Sequence, residues 1–150
     1  MSVITLPKKG EAYLGDSPQP VRIAKCDLAF SGGDVDTGAV QATYPLFNIP
    51  ANSLVLEVLC YTPTGWTTSV TIDIGDGDDT NGWLATAKVA PTSAQTNGIV
   101  KSTDVATAEA YSGGKLYLTA DTIDAVVGGA NPAAGHTVVL VKYIPDYSVA

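Results

Sequence analysis

The chain has 150 residues, 45% of them hydrophobic and 15% charged, with a formal net charge of −7. That length and apolar content suit one domain that buries its own core, and they exclude a disordered chain, which would be more charged and less apolar. Eight scattered basic residues against fifteen acidic ones exclude a surface built to contact nucleic-acid phosphates.

Residues 1–21 are broken by Pro7, Gly10, Gly15, Pro18 and Pro20, while Val3, Ile4, Leu6, Tyr13 and Leu14 supply apolar anchors. The expectation is an extended arm, not a secretory signal, because the first apolar stretch is short and Pro7, Lys8, Lys9 and Gly10 follow it. No stretch approaches the ~20 apolar residues that a membrane helix needs.

Residues 22–30 alternate, with Ala24, Cys26 and Leu28 opposite Ile23, Lys25 and Asp27, which predicts the first body strand. Ser31-Gly32-Gly33-Asp34 ends it. Further strands are expected over 41–47 and 54–61 around a Pro50-Ala51-Asn52 turn, with Leu54, Leu56, Val58 and Cys60 on one face and Glu57 and Tyr61 on the other. Residues 69–74 alternate most cleanly, Val70, Ile72 and Ile74 inward, and run into the acidic loop Gly75-Asp76-Gly77-Asp78-Asp79-Thr80-Asn81-Gly82. Trp83 and Leu84 restart an apolar strand. Residues 91–109 form a polar loop carrying short strands, with one helical turn in reach at 102–110. Strands over 115–120, 122–127 and 137–144 complete the series. About eight strands with no amphipathic helix predict an all-β, antiparallel two-sheet sandwich of jelly-roll type over 22–150, preceded by the arm 1–21.

Catalytic chemistry is sparse. His136 is the single histidine, and no Gly-x-Ser-x-Gly elbow accompanies it. Asp73, Asp76, Asp78, Asp79 and Asn81 crowd hard oxygen donors of the kind Ca²⁺ accepts, but EF-hand spacing fails: counted from Asp76, the sixth position is Asn81 where that loop needs glycine, and no glutamate closes it. The loop is therefore read as structural, with no metal or cofactor and no catalytic residues. Cys26 and Cys60 fall on apolar strand positions and are expected as buried thiols.

Four segments carry a resemblance: Phe47-Asn48-Ile49-Pro50-Ala51-Asn52-Ser53-Leu54-Val55-Leu56, Thr71-Ile72-Asp73-Ile74-Gly75-Asp76-Gly77-Asp78-Asp79, Tyr111-Ser112-Gly113-Gly114-Lys115-Leu116-Tyr117 and Ala120-Asp121-Thr122-Ile123. Together they resemble the capsid decoration, or cement, proteins of tailed bacteriophages, over about the last two thirds of the chain. The resemblance implies a non-enzymatic virion protein, made in the host cytoplasm. It would sit on the outer surface of the head as a homotrimer and clamp neighbouring major capsid subunits, with no nucleic-acid or membrane partner. Val3, Ile4, Leu6, Tyr13 and Leu14 are the expected capsid or subunit contacts. The alternative is a carbohydrate- or receptor-binding sandwich of a phage tail or fibre, with Trp66 and Trp83 lining a groove.

Overall fold

The computed structural model describes residues 3–5, 21–94, 99–104, 109–145 and 147. Its strands are β1 (Ile4–Thr5), β2 (Arg22–Ala29), β3 (Val35–Asp36), β4 (Thr43–Ile49), β5 (Ser53–Thr64), β6 (Thr71–Gly75), β7 (Val100–Lys101), β8 (Lys115–Tyr117), β9 (Asp121–Gly128) and β10 (His136–Ile144), with one helical turn, α1 (Thr86–Val89), after β6. They form two sheets. One has the order β1-β4-β9-β6; the other runs β3-β2-β10-β5-β7, with β8 also paired to β5. The chain is an all-β sandwich, as its alternation predicts. All pairings in the body are antiparallel, and only the two-residue edges β1 on β4 and β3 on β2 run parallel.

The core lies between the sheets. Leu46, Phe47, Ile49, Ile72, Ile74 and Ile123 face Leu28, Val35, Val58, Val139, Val141 and Tyr143 as one buried cluster. β10 is the centre of the larger sheet, laddered to β2 from His136 to Tyr143 and to β5 from His136 to Ile144.

The face of β5 differs from the expected parity. Tyr143 pairs with Val55 but Lys142 with Glu57, so one extra residue, Leu56, bulges from the strand. The bulge lets Val55 and Val58 both point into the core, while Leu54 and Leu56 sit half-buried on the outer side. Strict alternation cannot express that flip. A second bulge, in β4 between Pro45 and Phe47, places Tyr44, Leu46, Phe47 and Ile49 all inside.

Residues 83–84 do not restart a strand: Leu84 makes only an isolated bridge to Ile74. The chain then takes the turn α1, ended by Ala90 in the left-handed conformation (φ 47°). This turn is pinned to β6 by side chains, the Thr86 N–H donating to Asp73 Oδ1 (2.6 Å) and the Ile72 N–H to Thr86 Oγ1 (2.7 Å). The helical turn expected within 102–110 falls partly on residues 105–108, outside the described residues.

Candidate functional site

The acidic loop after β6 is built around one carboxylate. Asp76 has a fully buried side chain that accepts from Lys115 Nζ (2.6 Å), Tyr117 Oη (2.8 Å) and Tyr111 Oη (3.0 Å), and from the backbone N–H groups of Asp78 (3.0 Å) and Asp79 (3.1 Å). Burial pushes the Asp76 carboxyl up, but these donors outweigh it and hold it below the ordinary carboxylate range. Lys115 lies 4.3 Å from the Tyr111 ring centroid and 4.8 Å from that of Tyr117, and also reaches Asp78 (3.1 Å). Burial alone lowers the Lys115 ammonium, yet its bonds to Asp76, Tyr111 and Asp78 raise it above its ordinary value. Trp83 Nε1 extends the network by donating to Tyr117 Oη (3.1 Å).

Asp76, Asp78 and Asp121 bring carboxylate oxygens within 4.8 Å of one another. The cation that answers Asp76 and Asp78 in this arrangement is the Lys115 ammonium. Its partnership explains how so many acids share one turn: the loop is stapled to β8, 39 residues downstream in sequence. Beside it Asp124, with one buried oxygen that lacks a partner among the described residues, has its carboxyl raised by burial and by the charges of Asp121 and Asp76.

Two further clusters of charged side chains are internally paired. His136 Nε2 lies 3.2 Å from Asp27 Oδ1, and Lys25 Nζ lies 3.2 Å from Asp27 Oδ2. Among the described residues no hydroxyl or thiol bonds the imidazole, so the pair lacks a nucleophile. Glu57 accepts from Lys142 (2.8 Å) and from Thr103 (2.8 Å). Burial raises its carboxyl, and these two partners lower it further than burial lifts it.

The proposed sugar groove does not form from the tryptophans. Trp66 and Trp83 are core residues, 3% and 0% exposed. Trp66 Nε1 donates to Thr137 Oγ1 (2.9 Å), which also pairs with Thr62 Oγ1 (2.9 Å). Of the five arm anchors, Val3 and Ile4 are described and Leu6, Tyr13 and Leu14 lie outside the described residues. Ile4 pairs with Phe47 of β4 in its own chain and packs partly buried against the core, a partner that the sequence pattern did not reveal.

Cys26 and Cys60 both lie opposite Val139, one on each side of β10. That places them two strand spacings apart, about 10 Å, beyond the roughly 7 Å Cα separation a disulfide tolerates. Both are free and buried. Burial, with the charges of Asp34 and Asp27, pushes the Cys26 thiol up to about 12, and burial alone does the same for Cys60. Neither should react with a thiol reagent in the native protein, and both should react after unfolding. A mass change on reduction without added reagent, marking a disulfide, contradicts this.

The sequence matches no family model and no curated protein. Among solved structures the fold is similar to a chain of the cyanophage Pam1 capsid asymmetric unit, with TM-score 0.59 and 16% identity over 93% of this chain and 97% of that one. It is also similar to a chain of the acidic stable capsid of Helicobacter pylori bacteriophage KHP30, with TM-score 0.58 and 15% identity over 87% and 91%. A chain of the capsid of Ralstonia phage GP4 gives TM-score 0.56 and 19% identity over 98% and 100%. At these identities what is shared is the fold.

Proposed function

We propose that the chain is a non-enzymatic structural protein of a phage virion, bound to the outer surface of the head as a homotrimer and holding neighbouring major capsid subunits together. The observation that carries this reading is the near-complete overlap with three phage-capsid chains, of which 91% to 100% is covered. Each of those chains consists of little beyond such a sandwich, so in those capsids the fold is a component on its own. The internal pairing of Asp76, Glu57, Asp27 and His136 fits a structural role, because these ion pairs hold the body of the sandwich together. Stabilisation would act by linkage: a protein that binds the expanded shell across several subunits must be released before they separate. In this reading residues 1–21 are an arm rooted on β4 through Ile4, with Val3, Leu6, Tyr13 and Leu14 meeting a neighbouring subunit.

The test adds purified protein to expanded heads lacking it. The expected result is density at a regular threefold lattice position and heads that survive a higher temperature, with weaker binding by a chain beginning at Val21. Heads that neither take up the protein in lattice register nor resist more heat overturn the proposal.

A further inference from the structure

Four of the six large apolar side chains exposed among the described residues fall at one end of the larger sheet: Val21 (50%), Ile23 (62%), Leu118 (66%) and Tyr147 (40%). They adjoin a cross-strand row on its outer face. Ile144 of β10 pairs with Leu54 of β5, and Leu54 with Leu116 of β8, all three half-buried. Tyr143, the neighbour of Ile144, pairs with Arg22, which sets Val21 level with Ile144 at the start of β2. At the other border the Asn52 N–H donates to the Tyr117 carbonyl (2.6 Å) and the Asn52 carbonyl accepts from the Tyr147 N–H, which holds Leu118 and Tyr147 beside Leu54 and Leu116. The row crosses four strands, about 14 Å. Lys142, the cation opposite Ile23, is bonded to Glu57 (2.8 Å), so the patch carries no unanswered charge there. Apolar side chains gathered in this way mark a contact surface, which scattered ones do not.

Chain connectivity brings a particular segment to this patch. β1 runs parallel to β4 and ends at Thr5 opposite Asn48, so it points the chain toward the Pro50-Ala51-Asn52 turn, at the same end of the sandwich. β1 also comes within 8 Å of β2. Residues 6–20, outside the described residues, therefore leave and rejoin the body at the patch end, and Val21, where they rejoin it, belongs to the patch. Their large apolar side chains are Leu6, Tyr13 and Leu14. Tyr13 and Leu14 lie midway, with a reach from either root of up to about 24 Å. Ser17-Pro18-Gln19-Pro20 sets the direction. Each proline fixes its own φ and disfavours a helical conformation of the residue before it, so these four positions favour a straight spacer about 12 Å long, carrying Tyr13 and Leu14 off the end of β2. To lie on the patch of their own chain they would have to double back along that spacer.

We infer that the patch is the seat for Tyr13 and Leu14 of a second copy of this chain, each copy's residues 6–20 crossing to the next. The contact is head-to-tail, since a segment rooted on one copy meets a different surface of its neighbour. Such contacts stay unsaturated until a ring closes, and the inference rests on the homotrimer reading for closure at three. Charge suits the contact. Within the segment Lys8 and Lys9 balance Glu11 and Asp16, so a neutral stretch docks on a chain of net charge −7 without repulsion. Joining two copies patch to patch would instead leave Tyr13 and Leu14 of both without a seat.

The experiment uses the full chain with one cysteine in the segment and one in the patch, Tyr13→Cys with Leu118→Cys; the native Cys26 and Cys60 are buried. Oxidation with oxidised glutathione should give covalent trimers on a non-reducing gel. The yield should exceed at least tenfold that from Tyr13→Cys with Val40→Cys, since Val40 is also exposed but precedes the far end of β4. Leu118→Glu with Ile23→Glu, both at exposed positions, should weaken self-association at least tenfold by sedimentation equilibrium. Tyr13→Ala with Leu14→Ala should do the same, and Val40→Glu should not. A chain that stays monomeric at the highest concentration reached, a disulfide closed within one chain, or self-association unchanged in both double variants overturns the inference. If covalent trimers form and heads are not bound, the head-protein reading fails and the seat stands. If the double variants associate as wild type does and heads are still bound, the seat fails and the head-protein reading stands.

Discussion

Replacing Asp76 with alanine is expected to lower the unfolding free energy by about 3–5 kcal/mol, the range for removing one partner of a buried ion pair. The substitution removes the buried carboxylate partner of Lys115, leaving the ammonium with Asp78 and the Tyr111 hydroxyl, takes away the acceptor of the Tyr117 hydroxyl, and frees the amides of Asp78 and Asp79, so the loop loses most of its staple to β8. Asp76→Asn keeps the shape and should cost less, although its NH2 must then face donors, either Lys115 Nζ and Tyr117 Oη or the two backbone N–H groups and Tyr111 Oη. The pH dependence follows from the lowered carboxyl. The stability it supplies is fully present above the unfolded carboxylate value of about 3.9 and is lost as pH falls through the folded value beneath it. Urea unfolding at pH 7 and pH 3 should therefore show a large gap between wild type and Asp76→Ala that narrows in acid. Equal midpoints at pH 7 would show that the network contributes nothing.

Gly135→Ala should be nearly as damaging, with a loss of about 3 kcal/mol drawn from backbone strain and overpacking together. Gly135 has φ of 142°, in a region that side chains rarely adopt, and a methyl group there would fall 2.1 Å from a ring carbon of Trp66. The ring cannot give way cheaply, since it is buried and its N–H holds Thr137 in a hydroxyl pair with Thr62. Guanidine unfolding followed by tryptophan emission measures the loss. In a double-mutant cycle with Trp66→Leu, the smaller side chain should recover part of it. Simple additivity of the two would place the damage in the backbone alone.

Much of the sandwich could be read from residue alternation, because β2, β6, β9 and β10 each bury one parity with few interruptions. The reading failed where geometry departs from a period of two. At Leu56 a bulge reverses the parity of β5, and nothing local distinguishes Leu56 from Leu54 as the residue to be displaced. Trp83 and Leu84 are apolar enough for a strand, but Asp73 and Thr86 fasten the following residues as a helical turn through contacts 13 and 14 residues apart. The acidic loop was visible as a cluster of oxygens and its structural role was inferred from spacing. Its counter-ion was not visible, because Lys115 lies 39 residues away from Asp76 and only the β5–β8 pairing brings it near. The apolar patch escaped notice for a similar reason. Alternation assigns Ile144, Leu54 and Leu116 to strand faces but does not say that their strands are neighbours.

The central place of β10 has a kinetic consequence. Residues 22–29 and 53–64 each pair with 136–144, so the larger sheet cannot close until a strand 72 to 121 positions further along the chain arrives. Pairings of such separation fold slowly, on the order of milliseconds to seconds, because loop entropy is spent before contacts reward it. In that interval the β10-facing sides of β2 and β5 are both open, ready to accept a strand from any other chain nearby. Concentration during expression, more than the stability of the finished domain, should therefore govern how much of the protein is recovered in soluble form.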